Sequence, residues 1–249
     1  MSSADPVKAA ARTLDLFEAF ANAKGPLSLS EIAQLIGVPV SSCHGLIRTL
    51  QARGYVYVLE KRKRIYPTRR LADIAGKIAR YDTALERLTP HLAEIVDKTG
   101  ETVILGKMQG DHVVYLEVVP GTHTIRYTAS AGDTYPTHAS AIGKSALSLL
   151  SEEQLDEAIG RLKLTQFTDA TITDAQAFKA DILKGKKRGY FLSEGETVSD
   201  VMGISTPHVI GGEPYAIGIA GPTSRLREEF DRYLKVLVAA GRRIAKIEL

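Results

Sequence analysis

Residues able to do chemistry gather in two stretches of this 249-residue chain. The first is His138-Ala-Ser-Ala-Ile-Gly143-Lys144-Ser145, which places an imidazole, two hydroxyls and an ammonium close together along the chain. Gly-Lys-Ser could end a phosphate-binding loop, but that loop needs a glycine five places before Gly143, where His138 stands. Ser140 and Lys144 are one residue too far apart for the Ser-x-x-Lys pair of acyl transfer. A hydrolytic group of His138, Asp133 and Ser140 is the enzymatic alternative, though no G-x-S-x-G elbow accompanies it. The spacing leaves a helix opening on the small residues Ala139, Ser140, Ala141 and Gly143. Its first amides can approach an anion, a carboxylate being the natural guest. The same small residues would equally let the helix pack closely.

The second stretch carries Ser41, Ser42, His44 and Arg48, followed by Lys61, Arg62, Lys63 and Arg64. Hydroxyl, imidazole and guanidinium groups at the start of a helix suit base edges, and four consecutive cations suit phosphate. Their scaffold is legible. Ser28 and Glu31 have capping-box spacing, Ile32, Leu35 and Ile36 recur on one face, Gly37 supplies a left-handed cap, and Pro39 ends the first helix. The second helix buries Cys43, Leu46, Ile47 and Leu50 and turns the polar set outward. Arg53-Gly54 closes it. Tyr55 to Leu59 alternates as a strand, Glu60 to Arg64 is a charged turn, and Ile65-Tyr-Pro67 is the return strand. A helical hairpin from any bundle would share the two helices; the basic hairpin makes this a winged helix-turn-helix. Val7 to Phe20, through Leu14, Phe17 and Phe20, supplies the first helix of the head.

Thr68 to Ala79 reads as a helix whose stripe of Leu71, Ile74 and Ile78 suits a linker pairing with another subunit, or packing on the first helix. Beyond it, helices are expected at 85–99, 140–150, 152–162, 175–188 and 226–247. Strands are expected at 102–107, 112–118, 124–128, 189–192, 201–210 and 215–219. A mostly antiparallel sheet flanked by helices is an α+β cup able to hold a small ligand.

Composition bounds the rest. Residues 1–80 carry 13 Lys and Arg against 6 Asp and Glu, a net +7, while the remainder carries 19 against 23, a net −4. This asymmetry fits a DNA-contacting head on a body that stays off DNA. The lone Cys43 excludes an intrachain disulfide, and six scattered histidines without ligand spacing argue against a metal. No cofactor is implied. No signal peptide is evident and no apolar run approaches the roughly 18 residues of a membrane span, so a cytoplasmic protein without membrane partners is expected.

The head, Arg53-Gly54-Tyr55 at the wing, Thr99 to Val103, His138 to Lys144, and Ala220-Gly-Pro222 before the last helix together resemble the IclR family of bacterial transcription regulators. The resemblance implies an N-terminal winged helix-turn-helix, a linker helix and a GAF-like effector-binding domain. It further implies a homodimer or dimer of dimers on a palindromic operator, responding to small metabolites, often acids. Where the family often reads Pro-Lys-Ser-Thr, this chain has Val40 for the lysine, and it has Gly45 for a later arginine. Phosphate anchoring should then shift to Arg48 and the wing, with Gly45 costing about 1 kcal/mol of helix stability.

Family members that bind glyoxylate or pyruvate hold the acid with an Asp, a Cys and two Ser besides the helix start. The matching positions here are Ser193, Gly203, Gly218 and Ala220. Three small residues imply a larger, less polar pocket and an aromatic, hydroxybenzoate-like carboxylate. Tyr127 and Tyr135 could be stacking walls and Arg126 a second anion contact; each could also be a surface or core residue. The expected effector set is thus His138, Ala139, Ser140, Ala141, Gly143, Ser193, Gly203, Gly218 and Ala220. The expected domains are 1–67, a linker over 68–82, and 83–249. The expected function is a non-enzymatic regulator of a catabolic operon. An enzyme with a DNA-binding head, or a structural DNA-binding dimer whose second domain binds only protein, are the alternatives.

Overall fold

The computed structural model describes residues 7–81, 83–245 and 247, and for residues 62, 83 and 84 the backbone alone. The chain divides between Asp82 and Thr83 into two compact units.

In the first unit, α1 (Lys8–Ala23), α2 (Leu29–Leu35) and α3 (Val40–Ala52) pack with a small sheet of β1 (Leu27–Ser28), β2 (Val56–Leu59) and β3 (Arg64–Pro67) in the order β1-β3-β2. The Ser28 hydroxyl accepts the Glu31 amide and the Glu31 carboxylate accepts the Ser28 amide, so the capping box forms. Gly37 turns the chain at φ +62°. Cys43, Ile47 and Leu50 join Leu16, Phe20, Ile32, Ala33, Val56 and Ile65 in the core. Two expected core residues are instead exposed: Leu14 at 64% and Leu35 at 58%. Leu29, Ile32, Ala33 and Ile36 pack on the core at i, i+3, i+4 and i+7, and Leu35 falls beside that stripe. In α1 the buried residues are Leu16, Ala19 and Phe20, again excluding position 14. The strand β1 was not expected; it pairs Leu27 with Ile65 and ties the start of α2 to the wing. Helix α4 (Arg70–Ala79) buries no residue.

In the second unit, β4 (Thr102–Gln109), β5 (His112–Val119), β6 (Thr134–Pro136), β7 (Phe191–Glu194), β8 (Val201–Ile210) and β9 (Glu213–Pro222) form one antiparallel sheet, ordered β6-β5-β4-β9-β8-β7. Strand alternation sorts its residues by size. Val103, Leu105, Met202, Ile204, Ile217 and Ile219 join a core with α5 (Thr83–Thr99) and α10 (Phe230–Ile244). Between them on β9 lie Ala216, Gly218 and Ala220, and Ala216 and Ala220 pack with Ile142 and Ala146 of α6 (Ala141–Leu147). Further helices are α7 (Glu152–Arg161), α8 (Ala175–Arg188) and the short α9 (Thr223–Glu228). Leu155, Phe178, Ile182 and Phe191 form a satellite core with Leu147.

Two expected elements differ. Residues 124–128 form no strand. The Tyr127 carbonyl accepts the Thr102 hydroxyl at 2.5 Å and the Ile125 carbonyl accepts Arg225 Nη2 at 2.9 Å, so side chains replace a ladder and β6 takes the sheet edge. The expected helix over 226–247 is two, broken at Glu229 after the Pro222-capped α9. Among the described residues, no helix is long and apolar enough to cross a membrane.

Candidate nucleic-acid interface and ligand cleft

Ser41, Ser42, His44 and Arg48 are all exposed on α3, opposite the buried stripe of Cys43, Ile47 and Leu50. Val40, at the first turn, is 49% exposed. A Cβ added at Gly45 would have nothing within 4 Å, so no close approach requires that glycine. At the wing, Glu60–Arg62 makes one 3-10 turn and Lys63 adopts the left-handed conformation at φ 47°. Lys61 and Lys63 are exposed. The Arg62 side chain lies outside the described residues.

Arg64 differs from its neighbours. Its guanidinium donates to Glu31 Oε2 at 2.6 Å and to the Pro26 carbonyl at 3.2 Å, tying β3 to the start of α2. The Ser28 amide and hydroxyl, with help from Arg64, hold the Glu31 carboxyl below its ordinary value. Arg64 is thus set apart from Lys61 and Lys63: its guanidinium, 38% exposed, is already paired with a carboxylate of its own unit.

The second unit encloses a cleft between α6 and the sheet. It holds about 410 Å³ of non-atom space, open mouth included, of which about 30 Å³ can take the centre of a water molecule. Ala139, Ser140, Ala141, Ser193, Gly203, Gly218 and Ala220 all line it. The sheet order gives it two ends. Tyr115 and Tyr135 come from neighbouring strands β5 and β6, with Tyr127 beside them; Ser193 comes from β7 at the opposite edge, followed by Thr197. Tyr115 and Tyr135 stack with centroids 4.8 Å apart, and Tyr127 lies tilted at 6.4 Å from Tyr135. Burial raises the phenols of Tyr115 and Tyr127 above the ordinary tyrosine value, and the neighbouring phenols raise Tyr127 further. Both remain neutral hydrogen-bonding groups at physiological pH. Ser140 caps α6, its hydroxyl accepting the Gly143 amide at 3.1 Å.

Two expected effector residues are not among those lining the cleft. His138 is buried, its Nε2 donating to the Thr165 carbonyl at 2.9 Å between the rings of Phe167 and Phe178. Burial lowers its pKa, so the ring is neutral. Gly143 is a packing residue, because a Cβ there would lie 2.1 Å from the Thr137 carbonyl oxygen. Arg126 is exposed, donates to the His123 carbonyl at 3.2 Å, and is also absent from the lining. Gly218 lines the cleft without hollowing it, since a Cβ there would lie 2.7 Å from Ile142 Cδ1, which already fills the space.

No hydrogen bond among the described residues joins His138, Asp133 and Ser140. Lys144, which completed the Gly-Lys-Ser run, is 1% exposed, its ammonium bound to Glu196 at 2.6 Å and Asp181 at 2.8 Å. Burial raises the Glu196 carboxyl, against the opposing pull of Lys144. The lining residues missed from sequence include Tyr115 and Thr197. Alternation along β5 carried a signal for Tyr115, whereas Thr197 sits in an irregular loop with no period to read.

Comparison with known proteins gives a consistent picture. The family model described as Bacterial transcriptional regulator IclR C-terminal matches residues 79–246, and the one described as IclR helix-turn-helix domain matches residues 9–60. The transcriptional repressor IclR of Escherichia coli (strain K12) is 30% identical over 230 residues, covering 90% of this chain and 83% of that protein. The crystal structure of the Thermotoga maritima IclR aligns with a TM-score of 0.80 at 26% identity, covering 95% of this chain and 97% of the other. An IclR homolog from Microbacterium hydrocarbonoxydans, solved in complex with 4-hydroxybenzoate, shares the fold with a TM-score of 0.74 at 20% identity, covering 96% and 98% of the two chains.

Proposed function

Since the chain belongs to the IclR family of bacterial transcriptional regulators, and so pairs an operator-binding head with an effector-binding domain, we propose that it controls a catabolic operon in response to a small aromatic carboxylate. The carrying observation is the two-ended cleft, with Tyr115, Tyr127 and Tyr135 towards one edge of the sheet and Ser193 and Thr197 towards the other. Neutral phenols and their rings accept a flat aromatic ring without repelling an anion. The hydroxyls of Ser140, Ser193 and Thr197 offer donors to a carboxylate. Gly203 and Ala220 lie along the cleft between the ends and add no polar group that a hydrocarbon ring would leave unpaired. The fold neighbour that holds 4-hydroxybenzoate is in keeping with this choice. His138 and Gly143 then serve the packing behind the site.

On the DNA side, Ser41, Ser42, His44 and Arg48 face the major groove, with Lys61, Arg62 and Lys63 on phosphate or in the minor groove. Exposed Val40 suits the methyl group of a thymine. The stripe of Leu71, Ile74 and Ile78 on α4, of which Leu71 and Ile78 are 38% and 67% exposed, pairs with another subunit in a homodimer or dimer of dimers on a palindromic operator. The effector acts by population shift, binding one arrangement of the subunits better than the other. Such a protein works where the operator lies, in the cytoplasm.

Thermal unfolding in the presence of 4-hydroxybenzoate, benzoate, pyruvate and glyoxylate tests the reading. An effector at a hundred times its Kd adds about 2.7 kcal/mol to stability. Stabilisation by the aromatic acids, with a matching change in operator affinity, is expected. Stabilisation by the two oxo acids alone would refute it.

A further inference from the structure

The floor of the cleft contains an arrangement that the roles above leave unused. Ile142, the second residue of α6, is 4% exposed and lines the cleft. Its side chain rests on two glycines of neighbouring strands. A Cβ added at Gly106 of β4 would lie 2.5 Å from Ile142 Cγ2, and one at Gly218 of β9 would lie 2.7 Å from Ile142 Cδ1. Neither distance is compatible with an unshifted neighbour, so the branched side chain occupies the room that residues 106 and 218 would otherwise fill.

We propose that Ile142 is the specificity-determining residue of this cleft, its side chain acting as a plug that fixes how large a ring the site admits. The inference rests on the cleft being the effector site. Ile142 adjoins the hydroxyl-bearing start of α6 at Ser140 on one side and the small-residue face of β9 on the other. Shortening it opens space continuous with the cleft, floored by Gly106 and Gly218. Lengthening residue 218 refills that space. The two positions are therefore coupled: the volume available to a ligand depends on their sum, and a side chain at 218 requires residue 142 to shift or to be reduced. Neither Gly106 nor Gly218 has a positive φ, so the backbone does not require glycine at either place. The sharpest demand comes from Ile142, with Val113 Cγ1 at 3.0 Å from a Cβ at 106 and the Ile204 carbonyl oxygen at 3.1 Å from one at 218 adding to it.

The full chain and its Ile142→Ala, Ile142→Val, Gly218→Ala and Ile142→Val/Gly218→Ala variants test this. Ile142→Val removes only the δ-methyl that meets position 218 and guards against loss of folding in the alanine variant. Calorimetric titration with 4-hydroxybenzoate and with 6-hydroxy-2-naphthoate should show the preference moving towards the bicyclic acid by about tenfold or more in Ile142→Ala, as expected for opening an apolar pocket. Gly218→Ala in the Ile142→Val background should return the preference to that of the wild type. An independent arm uses xenon under pressure in crystals of Ile142→Ala, where a bound atom between Gly106 and Gly218 is expected. An unchanged ratio of the two acids, or no xenon at that position, would overturn the assignment. If neither acid binds wild type or variants, the aromatic reading falls, and xenon alone still decides whether Ile142 plugs the cleft.

Discussion

The wing offers the sharpest test of how the head meets DNA, because the structure separates cations that look equivalent in sequence. Lys61 and Lys63 are exposed, whereas Arg64 is bound to Glu31 and the Pro26 carbonyl. Each phosphate neutralised by a protein cation contributes about 0.9 to the slope of log affinity against log salt. Replacing Lys61 and Lys63 by glutamine removes two cations from each subunit, and four from one operator when two subunits share it as proposed. If all four reach phosphate, the slope becomes shallower by about 3 to 4. Over a fourfold rise in salt, the wild type should then lose roughly a hundredfold more affinity than the variant. Fluorescence anisotropy with a labelled operator, at several salt concentrations, measures this directly. Arg64→Gln should leave the slope nearly unchanged and lower the thermal stability of the head. Equal slopes in wild type and the lysine variant would refute a phosphate-contacting wing, and a slope change for Arg64→Gln as large as for the lysines would refute its assignment to Glu31.

Three further outcomes follow from packing and charge. Gly143→Ala sets a methyl 2.1 Å from the Thr137 oxygen and should destabilise by about 1–3 kcal/mol or more, whereas Gly45→Ala, with open space around it, should stabilise α3 by about 1 kcal/mol; chemical denaturation reads both. Lys144→Met leaves Glu196 buried and Asp181 partly buried without their shared cation and should cost about 3–5 kcal/mol, most of it recovered when Glu196→Leu and Asp181→Asn are added; failure of those changes to recover stability would dismiss the ion pairs as the cause. Burial lowers the His208 pKa to about 4 in the folded chain, from 6.5, so stability is fully present above pH 6.5 and falls as pH drops towards 4, by at most about 3 kcal/mol, with that part of the slope absent in His208→Gln.

Local rules explain which parts of the fold were readable. The capping box at Ser28 and Glu31, the turn at Gly37, and the strands on either side of Gly211-Gly212 depend on hydrogen bonds and dihedral preferences within a few residues. Helix α8, opening on Asp174 and closing on Gly189, matches its expected span for the same reason. The β-branched composition of residues 124–128 favours a strand, while the partners that claim their carbonyls, Thr102 and Arg225, come from distant segments. Leu14 and Leu35 mimic core positions in the sequence because each is apolar and close to a buried stripe without belonging to it.

The sequence by itself determined a basic winged head, an α+β second unit and the small-residue start of α6, since periodicity, capping and charge are written along the chain. Only the tertiary structure decided which of those residues act together. It placed Ser140, Ser193, Gly203 and Ala220 around one cleft with three tyrosines, and it withdrew His138 into the packing behind α6. It also bound Lys144 to Glu196 and Asp181, and Arg64 to Glu31. The physical reason is distance along the chain. Ile142 meets Gly106 and Gly218 only because β4 and β9 pair side by side beneath α6, and no local rule carries a register between strands more than a hundred residues apart.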